Sequence, residues 1–428
     1  MTTPTLAARP KTSVVGTHSN KISKSSVKGT KKQPRFWLYL APAMFLLAWG
    51  GNHFTPLLRV YEALGNYAPW QANFLLGTYV AGLIPGLLIA AALCDRYGRK
   101  PVMMFGIVLA VVGSLSLAFG LHTFWVLCVG RALAGIGVGV AMSVGTSWMK
   151  ELSSAPYDLR AQVSAGARRP ALTITLGFGI GAGVTGALAQ WAPLPAVLPY
   201  LVHIALSVIS ILLLLRAPET LKPESRKTTS WWRDLRAPSA RHTTFLRVVA
   251  PAAPWIFGAA AVAYAVVPAV VAPKLGDFST IYAAALTILT LGVGAAVQPF
   301  VPRLNRLTGG RALVVGLVFL VVGMCGAVAA ALTADPLIGV GVSITLGTAY
   351  GVCMVAGLMH VQSIASPHEI AGLTGLYYSL SYTGFLLPTV IAALLPLAPY
   401  AASLAGAALL CAGSLALVIR GYSHTTQA

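Results

Sequence analysis

Residues 70–121 read WQANFLLGTYVAGLIPGLLIAAALCDRYGRKPVMMFGIVLAVVGSLSLAFGL. Two apolar runs flank one charged turn, Asp95-Arg96-Tyr97-Gly98-Arg99-Lys100. Each run is close to the ~20 residues an α-helix needs to cross a bilayer. Neither alternates apolar and polar residues, as the strands of a membrane barrel would. The stretch predicts a helical hairpin in lipid, with its turn at one membrane face.

The rest of the chain repeats this pattern. Of 428 residues, 57% are hydrophobic and 9% charged, and the mean hydropathy is +0.76. A water-soluble domain carries roughly 25% charged residues, so this chain cannot cover itself with polar groups in water. Apolar runs span 36–58, 70–93, 101–121, 124–149, 171–190, 197–215, 247–272, 279–301, 312–333, 336–360, 371–395 and 398–419. We expect an all-α integral membrane protein of twelve transmembrane helices in two six-helix bundles. The expected bounds are a disordered basic tail over 1–35, a first bundle over 36–216, a linker over 217–246, a second bundle over 247–420 and a short tail over 421–428. In the linker, Trp231 and Trp232 suit a short helix at the headgroup level. Two such halves joined by a basic linker form a transporter layout, with the binding site between them.

Lys and Arg set the orientation. Of 30, all but Arg59, Arg131 and Lys274 fall in the N-terminal tail, the second-to-third, fourth-to-fifth and eighth-to-ninth loops, the linker and its edges, or the C-terminal end. Basic residues stay on the cytoplasmic side, which predicts cytoplasmic termini in a multi-pass protein of the cell (inner) membrane. The net charge of +20 is explained by loops facing anionic lipid headgroups, so nucleic acid is not an expected partner. Cys94, Cys128, Cys325, Cys353 and Cys411 lack metal-ligand or disulfide-framework spacing, and no metal or cofactor is expected. Residues 1–35 lack the apolar core of a signal peptide.

The turn Asp95–Lys100 resembles the signature of the major facilitator superfamily (MFS) between its second and third helices: glycine, three residues, then Asp-Arg-x-Gly-Arg-Arg/Lys. Ala91 stands where the leading glycine is usual. Arg131-x-x-x-Gly135-x-Gly137-x-Gly139 is similar to a second family motif. Gly177-x-x-x-Gly181-Ala182-x-x-Thr185-Gly186 resembles the glycine-rich motif of the 12-helix drug/proton antiporters, with Ala182 for proline and Thr185 for glycine. Pro218-Glu219-Thr220 closes the sixth run, as in many members. The resemblance implies two pseudo-symmetric bundles. It assigns Asp95, Arg96, Gly98, Arg99 and Lys100 to a conformational latch. It also implies that the first, fourth, seventh and tenth helices line a cavity, which makes Trp49, Trp255, Tyr264, Tyr350 and Met354 candidate wall residues. Tyr378 and Tyr382 join them from the eleventh, stacked at i, i+4. The segment Asn305–Arg311 echoes the latch in the second half, with an amide where Asp95 has a carboxylate.

Arg131 lies ~10 Å inside the fourth run at 1.5 Å per residue. A central arginine costs ~2.5–3.5 kcal/mol on insertion scales, so it must face a cavity or a partner. None of the ten acids lies well inside a run. An amide, hydroxyl, backbone carbonyl, bound anion or water must then answer its charge. Asn52 and His53 lie at matching depth in the first run, and we expect Arg131, Asn52 and His53 to form one polar cluster. The four-residue glycine spacing of the fifth run permits close helix approach, and Gly135, Gly137, Gly139, Gly177, Gly181 and Gly186 are expected packing positions.

The expected function is secondary active transport by alternating access, exporting a small, partly lipophilic compound. The alternative is an uptake or exchange permease for a metabolite or organic anion. A non-transporting scaffold and a membrane enzyme are rivals from other classes. An enzyme is disfavoured because the eight histidines and ten acids make no catalytic or metal constellation. Gly-x-x-x-x-Gly-Lys-Ser/Thr is absent, which argues against ATP-driven transport by this chain alone. Protons are a candidate coupling ion, without an embedded carboxylate to carry them, and the protein is expected to be a monomer.

Overall fold

A computed structural model describes residues 35–162, 165–222, 238–366 and 370–425. The expectations for the basic tail, for Trp231 and Trp232, and for the last residues of the C-terminal tail lie outside them.

Among the described residues every regular element is helical. Before the linker come α1 (Trp37–Asn52), α2 (Leu58–Gly65), α3 (Pro69–Tyr97), α4 (Arg99–Phe119), α5 (Phe124–Leu152), α6 (Ala165–Trp191) and α7 (Leu198–Leu214). After it come α8 (Phe245–Lys274), α9 (Gly276–Leu307), α10 (Ala312–Thr333), α11 (Pro336–Ile364), α12 (Ile370–Tyr382), α13 (Leu387–Ala393) and α14 (Tyr400–Ser423). Nine of these described helices are long and apolar enough to cross a membrane without interruption: α3 to α6, α8 to α11 and α14. Shorter pieces fill the other three apolar runs. The first run gives the 16-residue α1, which stops at Asn52 before a 3-10 turn, Thr55–Leu57, built on Pro56. The sixth gives the 17-residue α7. The eleventh is split into α12 and α13 by a 3-10 turn, Thr383–Leu386, ahead of Pro388. Proline lacks the N–H that an uninterrupted helix needs.

The two halves pack alike. In the first, α1 lies on α6, α3 on α5, and α4 on both α5 and α7. In the second, α8 lies on α12, α9 on α11, and α10 on both α11 and α14. Each pairing of the first half thus recurs six apolar runs later. Across the halves, α6 meets α9, and α3 meets α12 and α13. This is the two-bundle, pseudo-symmetric arrangement that the resemblance implied.

Glycine lets these helices approach. A Cβ on Gly135 would run into the Tyr79 carbonyl oxygen, and one on Gly139 into the Leu87 amide, so both hold α5 against α3. Gly137 faces the other way, toward Leu47 and Ala110. Gly177 abuts the Phe45 carbonyl, and a Cβ on Gly181 would lie 2.6 Å from the Trp49 ring, so these two seat α6 on α1. Gly186 meets Ala284 of the second half. Without an aqueous driving force between helices, van der Waals contact of this kind holds them together.

A candidate substrate cavity between the two bundles

A cavity of about 540 Å³ lies between the halves. Gly51, Asn52, Tyr79, Arg131 and Phe178 line its first-half wall, and Phe257, Tyr264, Tyr350, Tyr378, Tyr382 and Phe385 its second-half wall. It reaches Lys150, Gly166, Ala167 and Gln298 near the ends of α5, α6 and α9. The Asp95–Lys100 turn meets the end of α5 through the Arg99–Glu151 pair, and the Asn305–Arg311 turn follows from α9. At the opposite end, Gln190 Nε2 donates to the Asp277 carbonyl at 2.8 Å, and the Ile281 N–H donates to Gln190 Oε1 at 3.4 Å. With Gly186 on Ala284, these bonds join α6 to the start of α9 and its lead-in. The described lining of the cavity thus runs toward the face of the basic turns, while the halves touch at the other end.

A π-helical turn, Ala141–Gly145, inside α5 shifts the helix register, and Met142, Thr146, Ser147 and Lys150 all reach the cavity. A second, Val262–Val266, carries Tyr264 in α8. Single π turns inside α-helices often accompany functional sites.

Arg131 is 1% exposed. Its guanidinium carbon lies over the Phe54 and Tyr79 rings, 4.6 and 4.7 Å from their centroids. Nε donates to the Leu75 carbonyl at 3.2 Å, while Nη1 and Nη2 reach the Gly51 carbonyl at 3.4 and 3.5 Å. Both aromatic faces attract the cation, and among the described residues no carboxylate lines the cavity. Asn52 shares the cavity and donates to the Phe178 carbonyl at 3.2 Å, while its Oδ1 accepts from Thr55 Oγ1 at 2.9 Å.

His53 does not join Asn52 and Arg131 at the cavity. It is fully buried against Tyr200 and His203 of α7, with ring centroids 4.7 and 5.0 Å away. Consecutive residues of a helix point about 100° apart, so Asn52 faces the cavity while His53 faces α7. His203 is fixed by Leu46 and Ser114, each at 2.9 Å. Of the expected wall residues, Tyr264, Tyr350, Met354, Tyr378 and Tyr382 line the cavity. Trp49 and Trp255 do not. Trp49 packs on Gly181, and Trp255 points at α14, donating to Ser414 Oγ at 2.9 Å. Tyr79, Phe178, Phe257 and Phe385 were missed, because no helix phase could be read from runs that are apolar all round.

At the charged turn, Arg99 bonds Asp95 at 2.6 Å and Glu151 at 3.2 Å. The Arg99 and Lys100 N–H groups donate to Glu219 at 3.1 and 2.9 Å, and Lys100 Nζ to the Leu215 carbonyl at 2.9 Å. Thr220 donates to Glu151. Gly98 holds φ +103°, and a Cβ there would lie 2.6 Å from Glu219 Oε2. Burial works against ionisation of Glu219, but N–H bonds from Leu221, Lys100, Arg99 and Thr220 outweigh it and hold its carboxyl below the usual range. Arg96 stands outside the network, its Nη2 buried without a hydrogen-bond partner. In the second half, Asn305 Oδ1 accepts the Ala312 N–H at 3.3 Å. Among the described residues, Arg303, Arg306 and Arg311 form no ion pair.

The profile described as Major Facilitator Superfamily matches residues 40–389. The chain belongs to the Major Facilitator Superfamily. Membership makes it a multi-pass protein of a transporter family rather than an enzyme. Stretches of this MFS chain are similar to the D-xylose transporter of Levilactobacillus brevis (32% identity over 99 residues, 23% of this chain and 21% of that one). Another resembles the multidrug resistance protein MdtL of Klebsiella pneumoniae (strain 342), at 35% over 95 residues, 22% of this chain and 24% of that one. These matches span about a fifth to a quarter of the curated relatives. The MFS fold is shared with the nucleoside transporter NupG (TM-score 0.70, 12% identity, 91% of this chain and 98% of that one). It is also shared with the human organic anion transporter MFSD10 (TM-score 0.62, 18% identity, 91% and 100%).

Proposed function

We propose that this chain is a secondary transporter that works by alternating access and exports a small, partly apolar compound. The single observation that carries this is an aromatic-walled cavity of about 540 Å³ between two pseudo-symmetric bundles, extending toward the face of the basic turns. Binding pockets of this kind are concave, mostly apolar and provided with a few placed polar groups. The bundles rock about the cavity. The Glu219–Arg99–Asp95 network locks the turn in one state and releases it in the other.

The basic turns and both termini are assigned to the cytoplasm of a cell (inner) membrane, so the cavity faces inward. The glycine-rich resemblance in α6 supports export, and protons are the candidate coupling ion. The chain acts as a monomer. A second reading, uptake or exchange of a metabolite, is favoured by the similarity to the D-xylose transporter.

The test is an accumulation screen in cells that express the chain, with and without an uncoupler. Lower retention of a partly apolar compound, abolished by the uncoupler, supports energised export. Higher accumulation on expression supports uptake.

A further inference from the structure

We propose that the cavity accepts an organic anion, an anionic group on an aromatic or apolar body, with Arg131 as the group that binds the charge. The inference rests on the transporter reading above and names its substrate class.

Geometry restricts how Arg131 can bind. The guanidinium carbon lies 4.6 and 4.7 Å from the centroids of the Phe54 and Tyr79 rings, and Nε is taken by the Leu75 carbonyl, so the Nη1–Nη2 edge is what is left for a ligand. At that edge, the bonds to the Gly51 carbonyl are long, at 3.4 and 3.5 Å, beyond the 2.7–3.2 Å of a good N–H···O bond. A guanidinium carries five N–H donors in one plane, and a planar carboxylate meets such an edge with two parallel bonds. Contacts with both rings and the Nε bond to the Leu75 carbonyl hold the fork in place, so its donors are aimed before a ligand arrives.

Charge restricts the ligand. Arg131 and Lys150 are the cations of the described lining, which holds no Asp or Glu. A cationic compound would meet two positive groups and no counter-charge. A neutral compound would leave the buried guanidinium with only the two rings and backbone carbonyls to answer its charge, a costly state in a medium of low dielectric. An anion answers it. Lys150 stands where the cavity approaches the basic turns, so the potential draws an anion inward from that face.

The opposite wall restricts the body. The Phe257 and Tyr382 rings stack at 4.0 Å, and the Phe385 ring lies 5.2 and 5.8 Å from theirs. The three rings form a near-parallel apolar wall from the second half. A ligand with its charge on Arg131 and an aromatic body against this wall would contact both bundles.

The experiment measures binding of 2-naphthoate, the neutral 2-naphthamide and the cationic 2-naphthylmethylammonium to the purified full chain in nanodiscs by calorimetry. Naphthoate should bind at least tenfold more tightly than the amide, and the cation more weakly than either. In Arg131→Gln the naphthoate-to-amide ratio should fall to about twofold or less, while Arg131→Lys keeps part of it. A wild type that binds the amide or the cation as well as naphthoate, or binds none of the three, overturns the proposal. An undiminished preference in Arg131→Gln does the same. The wild-type ratio does not depend on how any variant folds. Movement of the bundles is read separately by distances at the two ends of the molecule. Those can change as alternating access requires while the naphthoate preference fails, and then the substrate class alone is wrong.

Discussion

The carboxylate of Glu219 accepts the backbone N–H groups of both Arg99 and Lys100, at 3.1 and 2.9 Å. It thereby ties the segment after α7 to the first turn of α4. These are N–H groups that the helix itself cannot satisfy, and a carboxylate also suits the positive end of the helix dipole.

Glu219 gives the network a pH dependence. Its carboxyl titrates below the usual range in the folded protein. The stabilisation it supplies is therefore complete above the ordinary glutamate pKa of ~4.3 and is lost as pH falls through the lowered folded value. The thermal midpoint of the purified protein should fall as pH drops from about 5 to 3. Glu219→Gln should flatten that decline and lower the midpoint at pH 7. An unchanged slope in the variant would remove Glu219 from the account of acid sensitivity.

Asp95→Asn removes the charge that Arg99 meets at 2.6 Å while leaving the shape. Transport by this variant should fall several-fold with normal membrane insertion, measured as uptake or efflux per inserted molecule. Wild-type turnover would leave the turn with a topological role only.

Arg131 and Arg59 make a second comparison. Arg59 pairs with Glu62 at 2.9 Å and its side chain is 39% exposed, and exposed pairs of this kind contribute only ~0–1 kcal/mol. Arg131 is enclosed by two rings at the cavity. Arg131→Ala should lower transport at least tenfold, and Arg59→Ala by less than about twofold. Equal losses would argue against a role for Arg131 at the cavity.

Gly135 and Gly179 test the packing. A Cβ on Gly135 meets the α3 backbone, whereas nothing lies within 4 Å of one on Gly179. Gly135→Ala should cost on the order of 1–3 kcal/mol, as overpacking does, and Gly179→Ala under about 0.5. Reversible unfolding in mixed micelles compares the two, and equal costs would contradict the close α3–α5 approach.

Apolar length and the distribution of Lys and Arg made the helices legible, because the bilayer fixes both. Helix rotation was not legible. Trp255 and Tyr264 both lie on α8, whose surroundings are apolar in every direction, so no polar stripe phases it. The structure turns Tyr264 to the cavity and Trp255 to Ser414. Matching depth grouped His53 with Asn52, but depth does not give direction, and adjacent helical residues point about 100° apart; His53 faces Tyr200 and His203. Glu151 and Glu219 could not be joined to Asp95 from sequence, since 52 and 120 residues separate them from Arg99. The motif Pro218-Glu219-Thr220 marked the position without showing its partner.

Spin-label distances in nanodiscs test alternating access most directly, with one pair on Ser154 and Leu307 near the basic turns and another on Trp191 and Phe278 at the opposite end. Gly186→Trp, which wedges the contact with Ala284, should lengthen the Trp191–Phe278 distance and shorten the Ser154–Leu307 distance in the same molecules. If one distance changes while the other stays fixed, or neither moves, the two bundles do not rock about the cavity.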